Sequence, residues 1–437
     1  MEPARTARAC REYNELSRRS FLRAGGGAAI AAAMVPAWLP RVTYARDHRS
    51  DRDVILSIFL RGGADGLTLC VPHADPLYYA ANGPTARPTI AIPPPGTSNG
   101  CTDLDGVFGL APAMSPLKEV FDNGHLAIVH GCGLTDTSRS HFDAMRFMEL
   151  GQLNTTSLFS GWLGRHLALS DPILPGVLLR GVSMGGYAVP TTMAGSPLTT
   201  PVPDALNYGI AGNPRTAGAR MSAMREMYES APTLLRNAAE TTSGTISLLE
   251  SINFAGYQPA GGARYPETEF GRALKASAAL IKAQVGVEAI CVDRGDWDTH
   301  SQAGPLTGDL ARNMDDLASG LQAFYRDVFS STTRVVCVVM SEFGRRAGEN
   351  ASRGTDHGHG NAMFVMGGRI NGGRVYGRDL AGQPGWVGLG ELYEDLDLHI
   401  TVDYRDILSE VIQKCLNNQN LGAIFPGWTP RFEGIVA

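Results

Sequence analysis

Acidic residues and histidines are concentrated in a few short segments of this 437-residue chain. In the densest of them, residues 354–360, Asp356, His357 and His359 lie within four positions and are flanked by glycines. Carboxylate and imidazole groups are ligands that zinc takes in proteins, and carboxylates also suit manganese, magnesium and calcium. The segment therefore predicts a site for a divalent metal ion, with zinc as the first candidate.

A second segment, residues 293–300, holds three aspartates and one histidine within eight positions. Such a density of ligand types is hard to explain as a solvent-exposed loop. Asp296 and His300 are four residues apart, so one turn of chain can bring both side chains to the same ion. We therefore expect Asp296 and His300 to be metal ligands.

Two further carboxylates follow short apolar runs. Asp65 lies in a glycine-rich turn, residues 61–66, and Glu342 lies in the sequence Ser-Glu-Phe-Gly-Arg-Arg of residues 341–346. Asp65 by itself is more typical of a simple turn, in which glycine allows the tight backbone. Together with the other segments, both carboxylates are expected ligands, and Arg345 can bind an anion.

Hydroxyl groups precede a helical pattern that begins at Phe142; they belong to Thr137, Ser138 and Ser140. A serine or threonine at a helix start is commonly an N-cap. Alternatively, such a hydroxyl is a nucleophile, because the backbone N–H groups and the helix dipole stabilise an anion there. Ser140 is the preferred nucleophile, with Thr137 and Ser138 as rivals.

Short apolar runs rich in β-branched residues predict five buried strands, at residues 54–60, 126–130, 287–292, 335–340 and 362–366. Between them, apolar residues recur at helical spacing over residues 270–285 and 310–328. This alternation predicts an α/β fold, a three-layer sandwich with a mainly parallel sheet. Ligands of such sheets bind at the carboxyl ends of strands, which is where the acidic segments fall.

The pattern changes between residues 150 and 265. Sequence rich in proline and glycine leads into a polar helical stretch, residues 215–252, and then into a glycine-containing linker, residues 256–262. We interpret residues 150–265 as a mostly helical insertion or cap on one large domain.

Residues 1–45 have the order of a twin-arginine signal peptide. Arg18 and Arg19 precede a charge-free stretch rich in alanine and glycine, residues 24–39, and small residues near Ala45 offer a cleavage site. The stretch is too short for a membrane-spanning helix, which needs about 20 apolar residues. We expect export to the periplasm or the cell exterior, with residues 46–437 as the mature domain and no membrane segment.

The whole chain has a net charge of −5, although the signal residues hold seven arginines against three glutamates. The mature part is therefore more acidic, which argues against nucleic acid as its partner. Cys101 and Cys132 lie in loop-like sequence and could pair in an oxidising compartment.

Taken together, the segments resemble the bacterial family known as domain of unknown function 1501. The resemblance covers most of the mature chain, and twin-arginine signals are common in that family. The matching segments are residues 60–66, 140–144, 296–300, 341–345, 354–360 and 401–405.

That family in turn resembles a distant branch of the alkaline phosphatase and sulfatase superfamily, which implies a two-metal site. The resemblance implies that Asp65 binds metal after the first strand and that Ser140 is the nucleophile. It also implies that Asp296 and His300 are an Asp-x-x-x-His pair of ligands.

Two assignments of the remaining ligands are open under this resemblance. Asp356 and His357 can form the Asp-His pair, with His359 as the last ligand. Alternatively, residues 341–344 occupy the place of the strand-end Ser-Asp-His-Gly of sulfatases, with Phe343 where a ligand histidine belongs. The loop around His357 and His359 then supplies the late imidazoles.

The sequence thus predicts an exported hydrolase of phosphate or sulfate esters, on small molecules or glycans, with one or two divalent ions. Ser140 would attack, and Arg345, with Arg139 as an additional candidate, would bind the anion. The alternative is a non-catalytic exported protein that keeps the ligands for structure or binds a glycan or a protein partner.

Overall fold

The structure is a computed structural model that describes residues 52–155 and 157–437. The signal expected at residues 1–45 lies outside the described residues, so export stays a prediction. The strands are β1 (Val54–Leu60), β2 (Cys70–Val71), β3 (Thr102–Asp103), β4 (Gly109–Leu110), β5 (Leu126–Gly133), β6 (Gly181–Met184), β7 (Thr199–Val202), β8 (Ala289–Arg294), β9 (Val335–Met340), β10 (Asn361–Gly367), β11 (Arg374–Tyr376) and β12 (Val402–Asp403). The α-helices are α1 (Gly66–Leu69), α2 (Lys118–Asp122), α3 (His141–Leu150), α4 (Trp162–Ala168), α5 (Ala217–Glu229), α6 (Thr233–Ser251), α7 (Glu269–Lys282), α8 (Asp309–Phe329), α9 (Tyr404–Lys414) and α10 (Leu421–Ile424).

One large sheet runs in the order β11-β5-β10-β9-β1-β8-β6-β7, and β12 also pairs with β5. The central strand β1 is parallel to both of its neighbours, β8 and β9. Strand β10 is the exception, because it is antiparallel to β5 and to β9. The mainly parallel sheet, with helices in its connections, confirms the predicted α/β class.

Alternate residues of the central strands supply two separate cores, because successive side chains of a strand point to opposite faces. Leu56 and Ile58 of β1 pack into one core with residues of α7 and α8. Ile55 and Phe59 pack into the other core with residues of α3, α4 and α9. Helices therefore cover both faces of the sheet, which is the predicted three-layer arrangement.

The segments that carry the candidate ligands meet at one edge of the sheet. Strands β1, β8 and β9 point in one direction, and β5 shares it because the antiparallel β10 lies between β5 and β9. The loops that follow these four strands therefore leave from the same edge. Strand β10 begins there, so the loop of residues 354–360 arrives at this edge as well.

Part of the expected insertion, residues 150–265, is built into the sheet. Strands β6 and β7 come from this segment and extend the sheet beyond β8. The helical stretch expected at residues 215–252 forms two helices, and Pro232 directly precedes α6, a position that proline tolerates. Helix α5 has no buried residue and stands away from the core, whereas Leu248 and Leu249 of α6 pack into the core that contains Leu56.

The cysteines of the described residues are buried and unpaired. Cys101 packs in the core that contains Leu56, whereas Cys132 packs in the core on the opposite face of the sheet. The disulfide considered from the sequence therefore does not form. Within residues 52–155 and 157–437, no helix is long and apolar enough to cross a membrane.

Candidate metal centre

Three histidine rings converge on one carboxylate oxygen at this edge of the sheet. Oδ1 of Asp298 lies 3.0 Å from Nε2 of His300 and 3.2 Å from Nε2 of His357. Nε2 of His141 lies 3.7 Å from the same oxygen. His141, Asp298 and His357 form a group whose ligand atoms all lie within 4.8 Å of one another and could hold a metal ion.

Close backbone packing brings these loops together. His141 is the first residue of α3, a few residues after the end of β5, and Asp298 lies in the loop after β8. Gly62, in the turn after β1, packs against that loop so closely that a Cβ would lie 2.6 Å from the Asp298 nitrogen. Its φ of 122° also excludes most other residues. The glycine-rich turn therefore allows the loop with Asp298 to close over the end of the central strand.

The second ring nitrogen of His141 and that of His357 each face an oxygen acceptor. Nδ1 of His141 donates to Oε1 of Glu342 at 2.7 Å, and Nδ1 of His357 donates to the carbonyl of Arg139 at 2.9 Å. These oxygens only accept hydrogen bonds, so each Nδ1 carries a hydrogen, and Nε2 is the ring atom left to bind a metal ion beside Asp298. Metal-binding histidines adopt this orientation, with a carboxylate or a carbonyl behind the ring.

His300 is held in a similar way on the more exposed side of the cluster. Its Nδ1 lies 3.4 Å from Oδ1 of Asp356. Asn350 joins the two residues by donating to that Asp356 oxygen at 3.0 Å and to the His300 carbonyl at 2.9 Å. Of the two expected ligands, His300 thus faces the cluster, and Asp356 stands behind it.

Asp298 is ionised in this environment. Burial raises its pKa, but interactions with the three histidines and the charge of Arg345 outweigh burial and lower the pKa well below its usual range. The Arg345 contact is direct, because Nη2 donates to Oδ1 of Asp298 at 2.6 Å. The cluster therefore offers a carboxylate charge among imidazoles, as a metal ion requires of its ligands.

Two buried atoms of the cluster have no hydrogen-bond partner, Nε2 of His141 and Oδ2 of Asp298. An unsatisfied buried polar atom costs about 1–3 kcal/mol. Burial lowers the pKa of His141, but its interactions with Asp298 and Glu342 outweigh that effect and raise the pKa to about 9. The carboxylates around His141 thus favour positive charge at this position, and a divalent ion that displaced the proton of Nε2 would satisfy both orphaned atoms. The residues present fit a metal ion.

Phe343 supports the rings of the cluster. Its ring centroid lies 4.9 Å from that of His141 and 4.8 Å from that of His357. Gly63 leaves room for it, because a Cβ there would lie 2.5 Å from the Phe343 ring. Phe343, at the position where the resemblance places a ligand histidine, therefore packs against the ligands of this centre.

Glu342, expected as a ligand, stands behind His141. Its side chain is buried, and its Oε1 accepts hydrogen bonds from the Gly62 nitrogen at 2.8 Å and from His141. Burial raises the pKa of Glu342, but the interaction with His141 outweighs burial and lowers it. An ionised carboxylate in this position fixes the ring and makes its Nε2 a stronger ligand.

Asp65 does not join the cluster. Its carboxylate caps α1, accepting from the Thr68 nitrogen at 3.3 Å and from the Thr68 hydroxyl at 2.7 Å. It also forms a buried ion pair with Arg87. The described contacts of Asp65 are thus those of a helix cap and an ion pair.

Asp296 and His359 also lie apart from the cluster. Asp296 has a φ of 68° and a side chain that is 73% exposed, and it pairs with Arg294. His359 is buried and stacks on Tyr393 with ring centroids 4.5 Å apart, and burial lowers its pKa to about 4. Among the described contacts of these two side chains, none reaches Asp298.

Arg345, expected to bind a substrate anion, is fully buried. It donates to the carbonyls of Gly63 at 2.5 Å and Thr355 at 3.0 Å, as well as to Asp298. These bonds tie three loops together and hold Asp298 in place. Arg345 therefore acts on the site through Asp298, without an open face for a ligand.

Ser140 is the N-cap residue of α3, and its hydroxyl makes no capping hydrogen bond. The side chain is partly exposed, and the residue lies between two residues of the site. Its neighbours are Arg139, whose carbonyl holds His357, and His141. Ser140 therefore does not cap the helix through its hydroxyl, although capping is the ordinary role of a serine at this position.

His141 and Asp298 were not among the ligands expected from the sequence. Asp298 and His300 are two residues apart in an irregular loop, in which the Thr299 nitrogen donates to the Trp297 carbonyl at 2.9 Å. The choice of Asp296 assumed a helical turn, which the loop does not form. His141 could have been identified as a ligand from its position, because it directly follows the hydroxyl residues at the start of α3.

Comparison with known proteins supports the resemblance that the motifs indicate. Residues 220–416 match the family model described as "Protein of unknown function (DUF1501)", which confirms that resemblance over a stretch that contains Asp298, His300 and His357. No curated protein matches the sequence. Among solved structures, the TAB5 alkaline phosphatase with Mg bound is similar at a TM-score of 0.26 and 10% identity, over 72% of this chain and 91% of that chain. The fold assignment therefore rests on the strand pairing described above.

Proposed function

We propose that this protein is an exported metal-dependent hydrolase of phosphate or sulfate esters, with its metal held by His141, Asp298, His300 and His357. The observation that carries the proposal is the convergence of three Nε2 atoms on Oδ1 of Asp298 at 3.0, 3.2 and 3.7 Å. Rings that meet at a carboxylate in this way, each with Nδ1 facing an oxygen, are typical of metal centres.

Zinc is the proposed metal. Three imidazoles and one carboxylate form a donor set rich in nitrogen, which suits zinc. Magnesium and calcium prefer oxygen ligands and keep several waters or additional carboxylates. Manganese, which also binds carboxylates, is the second candidate.

The position of Ser140 supports ester hydrolysis. The residue directly precedes the ligand His141 at the N-terminus of α3, where backbone N–H groups and the helix dipole favour negative charge. Its hydroxyl has no capping role that would explain it. A divalent ion at this site would act as a Lewis acid toward an ester oxygen and favour the ionised form of a neighbouring hydroxyl. We assign Ser140 the role of nucleophile.

A non-catalytic metal-binding protein is the second candidate function. The observation that favours it is the burial of Arg345, whose donors are used on backbone carbonyls and on Asp298. Four protein ligands also resemble the closed coordination of structural zinc sites, whereas catalytic sites keep an open position.

Turnover separates the two functions. Protein purified without chelator and loaded with zinc should hydrolyse at least one member of a panel of phosphate monoesters, phosphate diesters and sulfate esters, with sulfated glycans included. Asp298→Asn should abolish that turnover, whereas Asp296→Asn, on the exposed side of the same loop, should leave it unchanged. Zinc binding without turnover on the whole panel would favour the non-catalytic function.

Export through the twin-arginine pathway is part of the proposal. It is supported by the Arg18-Arg19 pair and the charge-free stretch that follows. Replacing both arginines by lysine should retain the protein inside the cell while leaving its zinc content unchanged. Export of the double-lysine form would contradict this route.

A further inference from the structure

We infer that the guanidinium of Arg87 replaces a second metal ion at Asp65, so that this protein binds one divalent ion per chain. The inference rests on the proposed function, because it concerns how many ions that hydrolytic site uses. It departs from the two-metal site that the sequence resemblance implies.

Each carboxylate oxygen of Asp65 already accepts hydrogen bonds from neighbouring residues. One carboxylate oxygen accepts from the hydroxyl of Thr68 at 2.7 Å and from Nη2 of Arg87, and the other accepts from the Thr68 nitrogen at 3.3 Å. The side chains of Arg87 and Asp65 are 0% and 2% exposed. The negative charge that a metal ion would use is therefore neutralised by a buried cation of the chain itself.

Arg87 is fixed by more than its ion pair. Its Nη2 also donates to the Thr68 hydroxyl at 2.9 Å, and its Nη1 donates to the Ala347 carbonyl at 3.0 Å. The guanidinium lies over the ring of Tyr78, 5.7 Å from its centroid. These contacts hold the arginine against the loop that follows Arg345, so it cannot swing aside without breaking several bonds at once.

A metal ion that displaced Arg87 from Asp65 would leave the buried guanidinium of Arg87 without a counter-ion. Arginine stays protonated at any pH at which the protein is folded, so it cannot escape the penalty by losing its charge. Removing one partner of a buried ion pair is strongly unfavourable for the same reason. An ion that bound Asp65 would have to overcome this cost, whereas an ion at Asp298 meets orphaned ligand atoms that it satisfies.

The count of tightly bound ions tests this inference. The metal-free full chain would be titrated with zinc chloride alone, and bound zinc would be measured by native mass spectrometry and elemental analysis. Wild type and Asp65→Asn are expected to bind one zinc each with the same affinity, and Asp298→Asn is expected to bind none. Asp65→Asn should also lower the melting temperature of the metal-free protein, because it leaves Arg87 without its carboxylate.

Arg87→Lys provides a second variant that keeps a cation beside Asp65. It should fold with a lowered melting temperature and still bind one zinc. Two tight zinc ions in wild type, with one of them lost in Asp65→Asn, would overturn the inference while leaving the proposed centre at Asp298 in place. No tight zinc in wild type would overturn both the inference and the proposed function.

Discussion

The Nε2 atoms of His300 and His357 lie 2.9 Å apart, and both face Oδ1 of Asp298. A tetrahedral zinc site with bonds of about 2.0–2.1 Å separates its ligand atoms by roughly 3.3 Å, which is close to these distances. We therefore predict that His300→Ala weakens zinc binding at least about tenfold, the lower end of what even supporting residues contribute. Competition with a chromophoric chelator measures the affinity.

His359→Ala is the matched control for that variant. His359 belongs to the same loop as His357 but stacks on Tyr393 outside the cluster. Its loss should lower stability and leave zinc affinity unchanged. Equal losses of zinc affinity in both variants would show that His300→Ala acts by disturbing the loops and not by removing a ligand. Unchanged affinity in both variants would show that His300 is not a ligand.

Glu342 should matter for metal binding without touching the metal. Its Oε1 accepts Nδ1 of His141 at 2.7 Å, so Glu342→Gln removes the charge that orients and polarises this ring. We predict that zinc affinity falls about ten- to a hundredfold. Asp356→Asn is the comparison, because Asp356 lies 3.4 Å from Nδ1 of His300 and should contribute less. A larger loss of affinity from Asp356→Asn than from Glu342→Gln would contradict the supporting role of Glu342.

Ser140→Ala should lower turnover at least about a thousandfold, equivalent to roughly 4 kcal/mol in the barrier, with zinc retained. The unfolding free energy should change by less than about 0.5 kcal/mol, because there is no capping bond to lose. Ser138→Ala is the control, since the Ser138 hydroxyl accepts the Ser140 nitrogen at 3.2 Å and contributes to the turn. Retained turnover in Ser140→Ala, with turnover lost in Ser138→Ala, would transfer the nucleophile to Ser138.

The stability of the fold should fall in acid through His130. Burial lowers its pKa from 6.5 to about 4, even though the hydrogen bond to the Cys70 carbonyl favours the charged form. Because the folded pKa lies below the unfolded value, the stabilisation is complete above about pH 6.5 and is lost as the pH falls through 4. Protonation of Nδ1 would also break the hydrogen bond that this atom accepts from the Gly131 nitrogen.

His130→Phe tests this pH dependence. The ring contacts with Phe108 and Trp386 are kept, while the hydrogen bonds and the titration are removed. The melting temperature should be lower than that of wild type at pH 7.5, and the difference should narrow as the pH is lowered to 4. A difference that is constant across this range would remove His130 from the acid response.

The position of the site could be predicted from the sequence, because parallel strands bring their carboxyl ends to one edge. The segments after β1, β5, β8 and β9 do meet there, and so does the loop before β10. His300 and His357 lie in these segments at the cluster. The fold class could also be predicted, because the apolar runs of the strands and the helical spacing between them are local patterns in the sequence.

The choice among neighbouring residues could not be predicted, because it depends on backbone angles and distant partners. Asp296 has a φ of 68° and an exposed side chain, and the histidines gather at Asp298 instead. Asp65 forms its ion pair with Arg87, which is 22 residues away in the sequence. The residues of the turn around Asp65 do not predict that partner. Arg345 is likewise enclosed by carbonyls that only the folded loops bring near.

The zinc content of the protein tests the central claim most directly. Wild type purified from metal-replete medium without chelator should contain about one equivalent of divalent metal, as elemental analysis measures it, because a cation would satisfy the charge and the orphaned atoms of the cluster. Asp298→Asn should contain less than about a tenth of that, and Asp296→Asn should match wild type, because Asp298 alone of the two faces the three histidines. A wild-type protein without metal, or an Asp298→Asn variant that keeps its full equivalent, would contradict the metal centre proposed at this edge of the sheet.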